Sequence, residues 1–311
     1  MKLKKYSPKR KLVALIGIVL VILIVIGIFT ARATTNSNSK TIQVVAAENF
    51  WGSLVSQLGG NRVHVVSIVS DPNADPHEYE SNTTDARDIA TANFVIQNGV
   101  GYDTWANKLV SASPNPNRKV LTIGNLVGKK EGDNPHLWYN PSYVNIAIVQ
   151  MDKALISIDP RHKGYYQNQL KSLQSSLQGY QSRIASIKQQ FGGTKVAATE
   201  DIFAYLASAA GLNLVSPLSF TQAVAEGNDP PADSIVEFQQ QLESGEVKVL
   251  VYNEQTVTPL TESIKKLAAD QGIPVIGVTE TIQPPDTSFQ VWMNAELINL
   301  QNALNANELG Q

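Results

Sequence analysis

The sequence predicts an α/β protein of two lobes with parallel-type sheets, joined by one long rigid helix and preceded by an N-terminal membrane anchor or signal segment. Three observations predict this. From residue 41 onward, short apolar runs alternate with amphipathic stretches, which is the pattern of strand–helix units in a parallel sheet. The segment from Pro160 to Phe191 breaks the alternation with a single apolar stripe at helical spacing. Residues 1–40 have a composition of their own, with eight Lys/Arg and no acidic residue. The boundaries that follow are 1–40 for the basic flank, apolar segment and tether, 41–159 for the first lobe, 160–192 for the linking helix and 193–311 for the second lobe.

At the N-terminus, Lys2, Lys4, Lys5, Lys9, Arg10 and Lys11 precede an uncharged apolar run over residues 12–29, about the length of a bilayer-spanning helix. The basic flank stays cytoplasmic, so the body lies outside. Ala31-Arg32-Ala33 offers a small-residue cleavage site, so the segment serves as an uncleaved anchor or as a signal whose removal releases the body. The Thr/Asn/Ser-rich residues up to Lys40 form a flexible tether.

The first lobe opens with a strand over Ile42–Ala47, a helix over Trp51–Leu58 closed by Gly59-Gly60, and a strand over Val63–Val69. A helix over Thr83–Ala92, a strand over Phe94–Gln97, a helix over Thr104–Ser111 and a strand over Lys119–Ile123 follow. Asn140-Pro141 supplies an N-cap and a proline at the first helical position, starting a helix that runs to Ile158. In the linking segment, Tyr166, Leu170, Leu173, Leu177, Tyr180, Ile184, Ile187 and Phe191 repeat at intervals of four and three, and Gly192-Gly193 ends the helix. Such a helix can run along a whole two-lobed body. The second lobe resumes with strands over Lys195–Thr199, Leu214–Pro217, Val247–Tyr252 and Pro274–Val278, and helices over Ile202–Ala210, Ala232–Ser244, Pro259–Asp270 and Ser288–Leu304. No element is assigned to residues 218–231.

With no cysteine among 311 residues, disulfides, thiolate metal sites and cysteine lipidation are excluded. Beyond residue 40 the chain has 17 basic and 27 acidic residues, a net charge of −10, which argues against nucleic acid as a partner and is compatible with cations.

Two of the four histidines stand in matching settings, Asp75-Pro76-His77 and Asn134-Pro135-His136. Proline fixes its own φ and holds the preceding residue extended, so each imidazole is presented by a stiff turn, as a metal ligand requires. His64 alternates with apolar neighbours on a strand and reads as a surface residue; His162 reads as solvated at the start of the long helix. Ligands of open α/β sheets bind beyond the carboxyl ends of the strands, where the second lobe offers Glu200, Glu254 and Glu280. Any two of these with the two histidines give a His2Glu2 set that neutralises a divalent ion, although a carboxylate after a strand also serves as a first-turn helix acid.

The runs Ala47-Glu48-Asn49-Phe50-Trp51-Gly52, Asp75-Pro76-His77-Glu78-Tyr79 and Asn134-Pro135-His136-Leu137-Trp138-Tyr139-Asn140-Pro141 resemble the zinc/manganese-type solute-binding proteins of metal-ion ABC transporters. So do Ala198-Thr199-Glu200-Asp201-Ile202-Phe203, Tyr252-Asn253-Glu254-Gln255-Thr256 and Thr279-Glu280-Thr281, and the resemblance spans residues 41–305. It implies one divalent ion between the lobes, with His77, His136, Glu200 and Glu280 as metal ligands. Glu200 occupies a position that is histidine in many zinc-type members and glutamate in many manganese-type ones. Glu280 stands where aspartate is commoner. The cysteine that anchors many relatives is missing, and Ala112–Asp133 lacks the histidine-rich loop of many zinc-type members.

The expected function is therefore extracytoplasmic capture of Mn2+ or Zn2+ by a monomer and its delivery to an ABC-transporter membrane permease, without catalysis. Oxygen donors, and a glutamate able to bind through both oxygens, favour Mn2+ as cargo even though Zn2+ binds more tightly in isolation. An extracytoplasmic zinc metallohydrolase is the alternative, because His/His/Glu sets also occur in catalytic zinc sites; the chain has neither a His-Glu-x-x-His helix nor a Gly-x-Ser-x-Gly elbow. A metal-stabilised surface adhesin is a third reading, supported only by the anchor.

Overall fold

The computed structural model describes residues 41–73 and 75–309. The anchor or signal segment expected over residues 12–29 lies outside the described residues. Among those described, no helix is long and apolar enough to cross a membrane.

In chain order the first lobe comprises β1 (Ile42–Glu48), α1 (Asn49–Gly59), β2 (Val63–Val69), α2 (Thr83–Thr91), β3 (Phe94–Gln97), α3 (Thr104–Ala112), β4 (Lys119–Thr122), the single turn α4 (Ile123–Leu126) and α5 (Pro141–Ile158). Then α6 (Lys163–Phe191) crosses the molecule. The second lobe comprises β5 (Lys195–Ala198), α7 (Ala204–Ala209), β6 (Asn213–Leu214), α8 (Leu218–Ala225), α9 (Ala232–Glu243), β7 (Leu250–Asn253), α10 (Pro259–Asp270), β8 (Val275–Val278) and α11 (Phe289–Leu309). Both sheets are four-stranded and wholly parallel, ordered β2-β1-β3-β4 and β6-β5-β7-β8. The chain therefore turns back between β1 and β3 in one lobe and between β5 and β7 in the other, and the crevice beyond such a reversal is where open sheets bind ligands.

Local chemistry sets the element ends. Asn140 caps α5 by accepting from Ser142 N at 2.9 Å and Tyr143 N at 3.3 Å, with Pro141 at the first helical position. Asn82 and Thr258 open α2 and α10 with reciprocal capping boxes. The long helix begins later than the periodicity suggests, because Pro160–His162 forms a 3-10 turn ahead of it. It stops at Gly192-Gly193, where Gly193 has a φ of 82°.

Three differences from the sequence reading stand out. Helix α8 occupies residues left without an element; it spans only eight residues, with Phe220 and Val224 on its buried face. Strand β6 lies at Asn213–Leu214, short of Pro217, which has no N–H to give a ladder. Strand β7 begins at Leu250 although the apolar run starts at Val247, and Val247 is buried ahead of it.

One apolar core runs through both lobes. It links Phe50, Leu54 and Trp138 of the first lobe to Val196, Val251 and Trp292 of the second by way of Tyr166, Leu173, Leu177, Tyr180, Ile184 and Ile187 of α6. Helix α6 packs against α1, α5 and α11. The start of α11 is bonded back to the first lobe, through Phe289 N to Ser53 Oγ at 3.0 Å and Gln290 Nε2 to Gln57 Oε1 at 2.8 Å. Two helices therefore tie the lobes together, and the cleft between them is set by rigid elements.

Candidate metal centre

The two Pro-His turns are built alike. Pro76 opens a 3-10 turn over Pro76–Glu78, and Asp75 Oδ1 accepts the backbone N–H of His77 at 2.9 Å. In the second, Asn134 Oδ1 accepts the N–H of His136, also at 2.9 Å. The acid or amide two residues before each histidine thus closes the turn that proline stiffens, an Asx-type device. Asn98, immediately after β3, accepts from Trp51 Nε1 at 3.2 Å and donates to Pro135 O at 2.8 Å, fixing the second turn to the sheet.

Glu200 and Glu280 each lie two residues past a strand, β5 and β8, and these strands flank β7. The parallel register pairs Ala198 with Val251 and Asn253 with Val278, so both glutamates emerge at the same end of the sheet on either side of Asn253.

The four sequence-predicted residues come together. One donor atom from each of His77, His136, Glu200 and Glu280 lies within 4.8 Å of all the others. His77 Nε2 is 3.3 Å from Glu280 Oε2 and 3.8 Å from Glu200 Oε1; His136 Nε2 is 3.2 Å from Glu200 Oε1 and 3.8 Å from Glu280 Oε2. Four donors about 2.0–2.1 Å from one ion in a tetrahedron stand about 3.3–3.4 Å apart, so the spacing fits a single small cation. The side chains of His136, Glu200 and Glu280 are wholly buried, whereas that of His77 is 19% exposed. His77 faces a cavity of about 460 Å3, whose lining includes the carboxylates of Asp75, Glu78, Glu131, Asp133, Asp201 and Glu226 and no Lys or Arg among the described residues.

Each lobe also steadies the other's donors. Asp201 Oδ1 of the second lobe lies 3.1 Å from His136 Nδ1, which is 3.0 Å from Asn134 Oδ1 as well. The Asn134 acceptor at Nδ1, with the Asp201 carboxylate beside it, places a proton there and turns Nε2 toward the other donors. Asn134 Nδ2 donates to Asp201 O at 2.6 Å, and Tyr205 Oη to Asn134 O at 2.9 Å. In return, Tyr102 of the first lobe donates its hydroxyl to Glu280 Oε2 at 2.7 Å. Within the second lobe, Asn253 Nδ2 donates to Glu200 Oε2 and, at 2.8 Å, to Glu280 Oε1. Gln255 Oε1 accepts from the backbone of Glu280 at 2.7 Å and of Thr281 at 2.9 Å.

The electrostatics are those of two ion pairs. Burial pushes the His77 imidazole toward its neutral form, but the Glu280 and Glu200 carboxylates outweigh this and raise its pKa well above the ordinary range. Burial acts likewise on His136, and contact with Asp201 and Glu200 carries it up to about 9. For Glu200 and Glu280 burial would raise the pKa, and the two imidazoles hold both below the usual carboxylate range instead.

The remaining sequence candidates are elsewhere. Glu254 is exposed, with its carboxylate lying against Gly277. His64 is exposed on β2, as expected. His162 is half-buried rather than solvated, with Nδ1 2.6 Å from Asp159 Oδ2. Asp201, Tyr102 and Asn253 were not among the candidates. The first two act across the cleft and the third across two strands, so spacing along the chain carries little trace of them. The signals were position, since Asn253 and Asp201 adjoin strand ends, and their place within the runs that carry the family resemblance. The second oxygen that Glu200 and Glu280 would need for two-oxygen binding is engaged by Asn253 in both cases.

Comparison with known proteins adds three findings. A family described as "ZnuA: Zinc-uptake complex component A periplasmic" matches residues 44–303. The manganese ABC transporter substrate-binding lipoprotein scaA of Streptococcus gordonii is 27% identical over 154 residues, 45% of this chain and 49% of its own length; the iron ABC transporter substrate-binding lipoprotein MtsA of Streptococcus pyogenes is 23% identical over 295 residues, 88% of this chain and 93% of its own. The periplasmic zinc binding protein TroA from Treponema pallidum shares the fold with a TM-score of 0.73 at 15% identity, over 85% of this chain and 99% of that one.

Proposed function

The chain belongs to the family of periplasmic zinc-uptake component A proteins, and on that premise we propose that it captures one divalent cation, Mn2+ or Zn2+, outside the cytoplasm with His77, His136, Glu200 and Glu280, and hands it to the membrane permease of an ABC importer. The observation that carries this reading is the convergence of two imidazoles from one lobe and two carboxylates from the other within 4.8 Å, all but His77 wholly buried. Buried charges on this scale persist only when paired or when they hold an ion. The relatives named above are described for manganese, iron and zinc, so the class of cargo is common to them and the particular metal is not.

The ion enters as cargo and leaves unchanged. In the metal-free site two imidazolium charges offset two carboxylates. A divalent cation that displaces two protons leaves the same net charge, so loading needs no further compensation in the buried site. Nothing in the family match or the site favours a hydrolase or an adhesin. The apolar residues 12–29 with their basic flank support attachment of the body to the outer face of the membrane, or its export.

Titration calorimetry with metal content by mass spectrometry tests the assignment. The expected stoichiometry is one ion per chain, lost by about two orders of magnitude or more in His136→Ala and Glu200→Ala and kept in His64→Ala and His162→Ala. Equal losses in all four variants would overturn it. Loss of metal import on deletion of the gene, with import restored by the wild-type chain alone, tests the partnership with a permease.

A further inference from the structure

Between Glu200 and Glu280 sits a side chain that touches both and lies in neither position where a ligand is expected. Asn253 closes β7, is 1% exposed, and spreads one amide group over the outer oxygens of the two glutamates. The two hydrogens of its Nδ2 are shared among Glu200 Oε2, Glu280 Oε1 at 2.8 Å and Thr256 Oγ1 at 3.0 Å. The orientation of the amide is fixed by its other end, since Oδ1 accepts the backbone N–H of Gln255 at 3.0 Å. Asn253 N in turn donates to Thr199 Oγ1 at 3.3 Å, which ties the residue to the end of β5.

The consequence lies in which oxygens remain. Glu200 Oε1 and Glu280 Oε2 face the histidines, at 3.2 and 3.3 Å from the nearer Nε2. Glu200 Oε2 and Glu280 Oε1 are turned to the amide. A carboxylate whose second oxygen is held by a buried N–H cannot swing to bind an ion through both oxygens without breaking that hydrogen bond in a site closed to water. Four donors remain, two nitrogens and two oxygens. This is the coordination number that Zn2+ prefers, whereas harder cations gain from additional oxygens.

We propose that Asn253 is a positioning residue that sets metal preference: it confines Glu200 and Glu280 to one oxygen each, holds the site at four donors and so biases it toward Zn2+ over Mn2+. The proposal rests on the metal-site reading above, and it opposes the preference for Mn2+ that the oxygen content of the donor set suggests. The topology makes the arrangement specific to this position. β7 is the strand between those that deliver the two glutamates, so the residue at its end reaches the outer oxygens of both from within the second lobe.

Co2+ is the probe, because four-coordinate Co2+ absorbs strongly in the visible and five- or six-coordinate Co2+ weakly. Asn253→Ala removes the amide. Asn253→Ser is too short to reach both carboxylates but keeps an acceptor for Gln255 N–H, which preserves the loop if the alanine variant fails to fold. Circular dichroism establishes folding of each. The expected result is an intense band for wild type, a weak band for the folded variants, and a Zn2+/Mn2+ affinity ratio lowered about tenfold by competition titration, in the range of second-sphere substitutions at metal sites. A weak band in wild type overturns the proposal, and so do folded variants with the wild-type band and affinity ratio. Failure of wild type to take up any Co2+, Zn2+ or Mn2+ overturns the metal-site reading itself, which separates the two failures.

Discussion

The hydroxyl of Tyr139 and the carboxyl of Glu296 lie 2.8 Å apart, joining the first lobe to the last helix directly beneath the loop that carries Glu280. Glu296 Oε1 also accepts from Thr279 N at 3.1 Å, and Tyr139 Oη is 2.8 Å from Thr279 O. Complete burial pushes Glu296 up to about 8, so near neutrality it carries a proton. A protonated Glu296 completes the ring: it donates to Tyr139, Tyr139 donates to Thr279 O, and Thr279 N–H returns to Glu296. The loop before Glu280 is thereby fixed by uncharged hydrogen bonds.

The sign of the pH effect follows. A carboxyl whose folded pKa is raised costs stability progressively as pH climbs above the unfolded value, about 4.3, and the cost levels off above about 8. Glu296→Gln keeps a donor and an acceptor but cannot ionise. Its melting temperature is expected to gain on wild type between pH 5 and 8. Glu296→Ala leaves Thr279 N–H unpaired and loses about 1–3 kcal/mol at about pH 4–5, where wild-type Glu296 holds its proton, a deficit that shrinks toward pH 8 because alanine does not ionise. Wild-type and Gln melting curves that shift in parallel with pH would show that Glu296 holds no proton.

Metal uptake should be strongly proton-coupled. His136 is raised to about 9 and His77 well above its ordinary value, so both imidazoles are protonated in the metal-free site at pH 7. Binding must expel both protons, and affinity should rise by up to about two decades per pH unit below pH 8. The metal-free protein behaves in the opposite sense. Stability from histidines with raised pKa is full below their unfolded value, about 6.5, and is lost as pH rises through about 9. Metal-free melting temperature should therefore fall over that window while the increment added by metal grows. Proton release measured by calorimetry in buffers of different ionisation enthalpy checks the first part; release of no protons at pH 7 would refute it.

Much of this architecture is legible in the sequence because its determinants are local. The four-and-three spacing from Tyr166 to Phe191, the Asn140-Pro141 cap and the two X-Pro-His turns depend only on neighbours along the chain. Helix α8 was missed because nothing local marks its start: Pro217 stands at its N-cap and gives no side-chain cap. Choosing among Glu200, Glu254 and Glu280 needed the resemblance, since all three follow strands. In three dimensions Glu254 is set apart by facing Gly277, a contact with a neighbouring strand that no spacing reveals. Asn253, Tyr102 and Asp201 escaped for the same reason: each acts on a side chain brought near only by folding.

The approach to the site is acidic, and this should show in rates rather than in final affinity. Glu131, Asp133 and Glu226 line the cavity that His77 faces and bond to none of the four donors. Carboxylates at the mouth of a low-dielectric cleft raise the local cation concentration, and salt screens them beyond about 8 Å at physiological ionic strength. The triple change Glu131→Gln, Asp133→Asn, Glu226→Gln should slow metal association several-fold at low salt, lose most of its effect at 1 M salt, and leave dissociation unchanged. Stopped-flow fluorescence of metal binding reads both rates; an equal slowing at both salt concentrations would point to altered structure instead.

The last prediction concerns α6 as a rigid spine. Its 29 residues span about 44 Å, and its buried stripe packs into a core shared by both lobes. Arg183 fastens it to α11 through Asn294 and Gln301, both at 2.8 Å, and Gln169 fastens it to α1 through Gln57 O at 3.1 Å. If loading required α6 to bend, the exposed Gly179 near the middle of the helix would be the natural flexure point. A Cβ there meets nothing within 4 Å, so Gly179→Ala stiffens the helix without a clash and should stabilise the protein by about 0.5–1 kcal/mol. A helix that stays straight in both states gains equally in both, so metal affinity should match wild type while both melting temperatures rise. A helix that bends on loading gains in one state only, and calorimetry would find the affinity shifted by several-fold. That shift, or a contraction of several ångströms in solution scattering when metal is added, would count against the spine.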